Sequence, residues 1–157
     1  MEKTTWKKEN YTLTTEQSLF DHEAIYHYLT EESYWALGMP RNVFEKSLEH
    51  SLCFGLFAGD PSKEQAEQIG FARVISDHAT FAYLADVFIL EAYRGRGLSK
   101  WMMAVILDHP ELRNLRRFML ATQDAHTLYE RFGFGPLATP EKMMEISKGK
   151  SVYERYR

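Results

Sequence analysis

A chain of 157 residues with 45% hydrophobic and 14% aromatic content can bury one substantial core but is short of two ordinary domains. Its formal net charge of −3, with no extended basic stripe, speaks against nucleic-acid binding, and no apolar run is long enough to span a bilayer. The polar start Met1-Glu2-Lys3-Thr4-Thr5-Trp6-Lys7-Lys8 lacks the apolar stretch of a secretory leader, which points to a cytoplasmic protein.

In chain order, Tyr11 to Thr15 reads as a strand and Glu16 to about Leu29 as a helix. Glu31 to Met39 holds Tyr34, Trp35 and Gly38 without a clean period, and Pro40 suits the first turn of a second helix reaching about His50. Leu52 to Ala58 reads as a strand, with the lone Cys53 as one of its buried residues, and Gly59-Asp60-Pro61-Ser62 as a turn. Ile69 to Ile75 and the nearly continuous apolar run Phe81 to Leu90 follow as strands. Leu98, Trp101, Met102, Val105 and Ile106 then fall at i, i+3, i+4, i+7 and i+8, the stripe of a helix packed by one face. Arg117 to Thr122 is a strand, Ala125 to Phe132 a helix closed by Gly133-Phe134-Gly135-Pro136, and Met143 to Ile146 a last strand after Pro140. The order β-α-α-β-β-β-α-β-α-β defines an α/β fold in one domain, residues 9–147, followed by a polar tail, residues 148–157. The six histidines form no i,i+4 pair or Cys/His set, so no structural metal is expected.

Between the long apolar strand and the striped helix lies Tyr93-Arg94-Gly95-Arg96-Gly97-Leu98-Ser99-Lys100. Glycines let the main chain approach a ligand, and the unpaired N–H groups of a helix's first turn point at whatever precedes it. Arg94, Arg96 and Lys100 concentrate positive charge there in an otherwise slightly acidic chain, so the segment reads as a cradle for a phosphate group. A P-loop would need Gly-Lys-Ser/Thr, which is missing, and a dinucleotide fingerprint would need a third glycine where Lys100 stands.

The same segment resembles the R/Q-x-x-G-x-G/A pyrophosphate loop of the GNAT superfamily of acyl-CoA N-acetyltransferases, with Arg94, Gly97 and Ser99 in the three defined places. Ser99 stands where the family usually has Gly or Ala. Downstream, Ala125-His126-Thr127-Leu128-Tyr129-Glu130-Arg131-Phe132-Gly133-Phe134 is similar to the family's A-x-x-L-Y-x-x-x-G-F helix. The resemblance implies a mixed, splayed sheet and acetyl-CoA as cosubstrate. It maps Arg94, Gly95, Arg96, Gly97, Leu98, Ser99 and Lys100 onto the pyrophosphate, and Val87, Phe88 and Ile89 onto the pantetheine arm. Thr122 falls where relatives carry an Asn against that arm.

Acyl transfer to an amine needs the amine neutral, the developing oxyanion stabilised and a proton for the departing thiolate. Tyr129, inward with Ala125, Leu128 and Phe132, matches the tyrosine that supplies that proton in relatives. Otherwise it is a core tyrosine with a satisfied hydroxyl. Asp86 is the sole acid within Phe81 to Leu90, on the face that strict alternation assigns to Ala82, Leu84, Phe88 and Leu90. Partial desolvation would raise its pKa toward that of a useful base or water relay; it could equally anchor a cationic substrate or hold a strand irregularity. Trp35 and Arg73 are the acceptor-side candidates, Trp35 by cation–π contact and Arg73 by binding a carboxylate or pairing with Asp86. Asp124 suits a helix N-cap. The expected activity is transfer of acetyl from acetyl-CoA to a primary amine of a small molecule or peptide by direct attack in a ternary complex, compatible with a homodimer. The alternatives are a CoA-binding sensor or protein-interaction module without turnover, and a nucleotide-binding protein.

Overall fold

The computed structural model describes residues 3–149 and Tyr153. One six-stranded sheet runs in the order β1 (Thr5–Lys8), β2 (Tyr11–Thr14), β3 (Leu52–Ala58), β4 (Glu67–Ser76), β5 (Phe81–Ile89) and β6 (Arg117–Leu120). All neighbours are antiparallel except β5 and β6, whose parallel pairing needs a crossover. That crossover is helix α3 (Leu98–Asp108); α1 (His22–His27), α2 (Arg41–Glu49) and the short α4 (His126–Glu130) complete the fold.

Strand alternation divides the core in two. On β3, Phe54 and Leu56 pack with Leu98, Met102, Met103 and Ile106 of α3, whereas Cys53 and Phe57 pack with Ile25, Phe44 and Leu48 of α1 and α2. The first face also takes Tyr129 of α4.

Several expected elements come out differently. The sheet begins at Thr5, ahead of the expected boundary at residue 9, because Thr5–Lys8 pairs with β2 through a tight turn at Glu9, whose φ is +53°. Its lysines suit an edge strand, and they hide it from a search for apolar runs. The helix expected from Glu16 is interrupted at Phe20, which is extended and buried against Phe71. Helix α1 starts afresh at Asp21, whose carboxylate accepts the Ala24 N–H at 3.0 Å. Beyond α1, Thr30 and Ser33 hydroxyls donate back to the carbonyls of Tyr26 and Leu29, and Tyr28–Glu32 widens into a π turn. Met143 to Ile146 is not a strand: its backbone is irregular, and Met144 and Ile146 are 96% and 92% exposed. β6 stops at Leu120 because Thr122 turns the chain, its Oγ1 accepting the Ala125 N–H at 3.0 Å.

The most consequential departure lies in β5. Arg73 faces Ala85 across the β4–β5 ladder, but Phe71 faces Phe88, so β5 carries one extra residue there. Asp86 takes the left-handed backbone that this bulge requires, with φ +54°. Beyond it the alternation inverts: Ala82 and Leu84 pack toward α3, while Phe88 packs with Phe71 on the opposite face. Asp86 therefore does not share one continuous face with Ala82, Leu84, Phe88 and Leu90.

Candidate active site

β5 pairs with β6 only from Phe81↔Arg117 to Leu84↔Leu120, yet β5 continues to Ile89. Past Leu84 the two strands part, and a cavity of about 570 Å³ opens at the fork. Leu84 to Val87 line one side of it and Leu120 to Ala125 the other, with Tyr34 and Trp35 over the α1–α2 side and Tyr129 on the α4 side.

The bulge delivers Asp86 to this cavity as the acceptor of two protein donors. Arg73 Nε donates to one carboxylate oxygen at 2.7 Å, and Trp35 Nε1 donates to the other at 2.8 Å. The pair is largely sequestered, with side-chain exposures of 8% for Asp86 and 16% for Arg73, and Arg73 Nη1 also donates to Ser51 Oγ at 3.2 Å. Arg73, Asp86 and Trp35 are thus one connected unit, brought from β4, β5 and the α1–α2 connection. Cys53 lies behind it, 1% exposed, and burial pushes its thiol up to about 12, with Arg73 pulling down and Asp86 pushing up by smaller amounts.

Tyr129 is 8% exposed, and its ring meets Phe134 edge-on at 6.0 Å. Burial pushes the phenol above its ordinary value, with the nearby Tyr34 and Asp124 adding to the shift, so the hydroxyl keeps its proton at neutral pH. That hydroxyl makes no hydrogen bond among the described residues and is not sealed from solvent. Asp124 is not the cap of α4, which begins after Ala125 and has no side-chain cap.

The glycine loop has the shape of an anion cradle. Gly95 and Gly97 both take positive φ, 78° and 76°, which selects glycine there, and a Cβ added at either would meet nothing within 4 Å. No side chain caps α3, so the N–H groups of Leu98, Ser99 and Lys100 point into the open space before the helix. The three cations divide their work. Arg94 turns back, Nε donating to Ile89 O at 2.9 Å and Nη2 to Tyr28 Oη at 3.1 Å, and so rivets the loop to the end of β5. Arg96 donates to Tyr11 Oη at 3.0 Å and lies over the Tyr93 ring. Lys100 stays exposed with no such partner among the described residues. Behind the loop, Phe88 stacks on Tyr28 with centroids 3.9 Å apart, which makes Tyr28 a core residue, and Ile89 is buried on the other face.

A fork, a bulge beside it and an uncapped helix facing its far end match a recognisable lineage. The sequence model of the Acetyltransferase (GNAT) family covers residues 13–134. The chain belongs to the GNAT acetyltransferase family. A protein of Gibberella zeae named as a candidate acetyltransferase is 32% identical over 138 residues, 79% of this chain and 78% of its own length. A crystal structure of a candidate GNAT acetyltransferase from Xanthomonas campestris superposes with a TM-score of 0.82 at 46% identity, covering 88% of this chain and 94% of that one. AAC(6')-Iy, in complex with a bisubstrate analogue of CoA and monomethyl-acetylneamine, shares the fold at 18% identity, with a TM-score of 0.55 over 88% and 96% of the two chains. This GNAT member is therefore an acyltransferase.

Within the GNAT frame, the cavity collects Tyr129, Asp86, Val87, Thr122, Trp35 and Arg73 from the sequence reading. It takes Tyr34 beside Trp35, and also Tyr83, Asp124 and Tyr153, for which the sequence offered little: Asp124 read as a cap, and Tyr153 as part of a polar tail. Tyr153 packs against the core cluster that includes Trp35 and Met39, which no local pattern in a charged terminus announces.

Proposed function

We propose that this GNAT acyltransferase moves acetyl from acetyl-CoA to a primary amine by direct attack in a ternary complex. The observation that carries the reading is the single cavity at the β5–β6 fork, which reaches both the Tyr129 hydroxyl and the Arg73–Asp86–Trp35 unit.

The residues fit the cosubstrate. The open cradle over Gly95 and Gly97 admits a pyrophosphate to the N–H groups of Leu98, Ser99 and Lys100, and the Lys100 ammonium adds charge. Arg94 and Arg96 serve by holding the loop in shape rather than by reaching outward. The backbone of Val87, Phe88 and Ile89 and the Thr122 hydroxyl flank the pantetheine arm in the fork. Bound acetyl-CoA supplies the activated thioester. The Val87 N–H donates to the acyl oxygen as negative charge develops there. Tyr129 donates its phenolic proton to the departing sulfur, and the burial that raises this phenol keeps the proton in place until it is needed. Asp86, with both oxygens engaged by Arg73 and Trp35, fixes the acceptor wall and orders the water through which the amine's proton leaves to solvent. Cys53, buried with its thiol held protonated, is unsuited to carry an acyl group, in keeping with direct transfer. The CoA-linked analogue bound to AAC(6')-Iy on the same fold supports the cosubstrate.

The test is thiol release from acetyl-CoA across a panel of primary amines, with Tyr129→Phe beside the parent. Turnover should fall about a hundredfold or more in the variant, the range for losing a positioned acid, while the KM for acetyl-CoA changes little. Full activity of Tyr129→Phe would remove the assigned acid, and CoA binding without turnover on any amine would defeat the transfer reading itself.

A further inference from the structure

The cavity has a charge balance and a surface that acetyl transfer by itself does not require. Two carboxylates line it, Asp86 and Asp124, and Arg73 is the one cation among the described residues that do so. Arg73 is spent on Asp86 and Ser51, so that pair is neutral as a unit and offers an incoming carboxylate no free counter-charge. Asp124 remains. It is exposed, makes no hydrogen bond or ion pair among the described residues, and does not cap α4. It lines the same cavity as Tyr129.

The cavity that Asp124 lines also carries aromatic rings. Tyr34 and Trp35 meet edge to face at 5.0 Å, and the Tyr34 hydroxyl accepts the Gln123 N–H at 3.2 Å, which pins the ring next to Asp124. Tyr83 of β5 and Tyr153 of the tail add two more rings from distant parts of the chain. Ring faces attract ammonium groups, and an unpaired carboxylate among them favours a second positive charge on the ligand.

We propose that the acceptor is a dicationic diamine or polyamine, one amine reacting near Tyr129 and a second ammonium resting on Asp124 among the rings, with carboxylate-bearing amines disfavoured. This rests on the N-acetyl transfer reading above. The experiment compares 1,4-diaminobutane, butylamine and 4-aminobutanoate as acceptors at fixed acetyl-CoA, in the parent and in Asp124→Asn. In the parent, kcat/KM for the diamine should exceed that for the monoamine by about fivefold or more, the upper range for an exposed ion pair, with the amino acid last. In Asp124→Asn the diamine-to-monoamine ratio should fall toward two, the statistical value for two equivalent amines, and raising the salt should shrink it in the parent. A parent that uses the monoamine or the amino acid as well as the diamine, or a preference that survives Asp124→Asn, overturns the proposal and leaves acetyl transfer standing. No turnover with any amine overturns both.

Discussion

Replacing Asp86 by Asn probes the unit on which the acceptor wall is built. Asn tolerates the left-handed backbone at φ +54°, and its amide oxygen can still accept from Trp35 Nε1, so the change mainly deletes the charge facing Arg73. Removing one partner of a buried ion pair costs about 3–5 kcal/mol, because the other charge is left without compensation. Here the side chains are 8% and 16% exposed and border a cavity of about 570 Å³ that water can enter, so the lower end, about 3 kcal/mol, applies. Urea unfolding of the parent, Asp86→Asn, Arg73→Met and the double variant gives the coupling directly, and it should be about 2 kcal/mol. The double variant should be more stable than the sum of the single losses implies, since it leaves no orphan charge. A coupling below about 0.5 kcal/mol would refute the view that Arg73 and Asp86 act as one buried unit. A variant as stable as the parent but devoid of turnover would instead make Asp86 a proton carrier with no structural part.

Gly55→Ala should destabilise the protein by about 1–3 kcal/mol in urea, because the new Cβ would sit 2.6 Å from Phe20 Cε1 in a packed core, and a stability within about 0.5 kcal/mol of the parent would contradict that packing. Cys53 gives a pH signature. Burial lifts its thiol from the ordinary value of about 8.5 to about 12, so the folded state keeps a proton that the unfolded chain gives up. Its contribution to stability is complete below about pH 8.5 and drains away as pH rises toward 12, by up to about 1.4 kcal/mol per pH unit. The parent should therefore lose unfolding free energy faster than Cys53→Ala above about pH 9, and parallel profiles would count against the burial. Arg94→Ala should lower the melting temperature as well as weaken CoA binding, since it removes bonds to both Ile89 and Tyr28. An effect on binding alone would mean that the side chain reaches the ligand rather than the protein.

The loop, the helix carrying Tyr129 and the order of the central strands were legible because each has a local signature: glycines between a strand and a helix, a 3.6-residue stripe, unbroken apolar runs. What the sequence concealed depends on contacts between distant segments. The β5 bulge follows from a register mismatch with β4, so nothing within Phe81 to Leu90 announces it, and it reassigns Asp86 and Phe88 to different surroundings. The polar strand Thr5–Lys8 exists because β2 offers it an edge, whereas Met143 to Ile146 looks more strand-like and is left irregular. Arg94 read as a phosphate ligand because charge beside glycine suggests one; the bonds of its side chain to Ile89 O and to the Tyr28 hydroxyl, the latter distant in sequence, were not legible there. Asp124 read as a cap because it stands where the helix was expected to start, but α4 begins after Ala125 with no side-chain cap.

That the uncapped start of α3 receives the pyrophosphate of CoA is tested most directly by calorimetric titration of CoA into the parent, Gly97→Ala and Gly97→Glu. Both substitutions strain a residue at φ +76°, and neither Cβ meets a neighbour within 4 Å, so alanine reports the strain and glutamate adds a negative charge beside the helix N-terminus. CoA affinity should fall modestly in Gly97→Ala and by a further tenfold or so, about 1.4 kcal/mol, in Gly97→Glu. Equal affinities in the two variants would contradict the assignment.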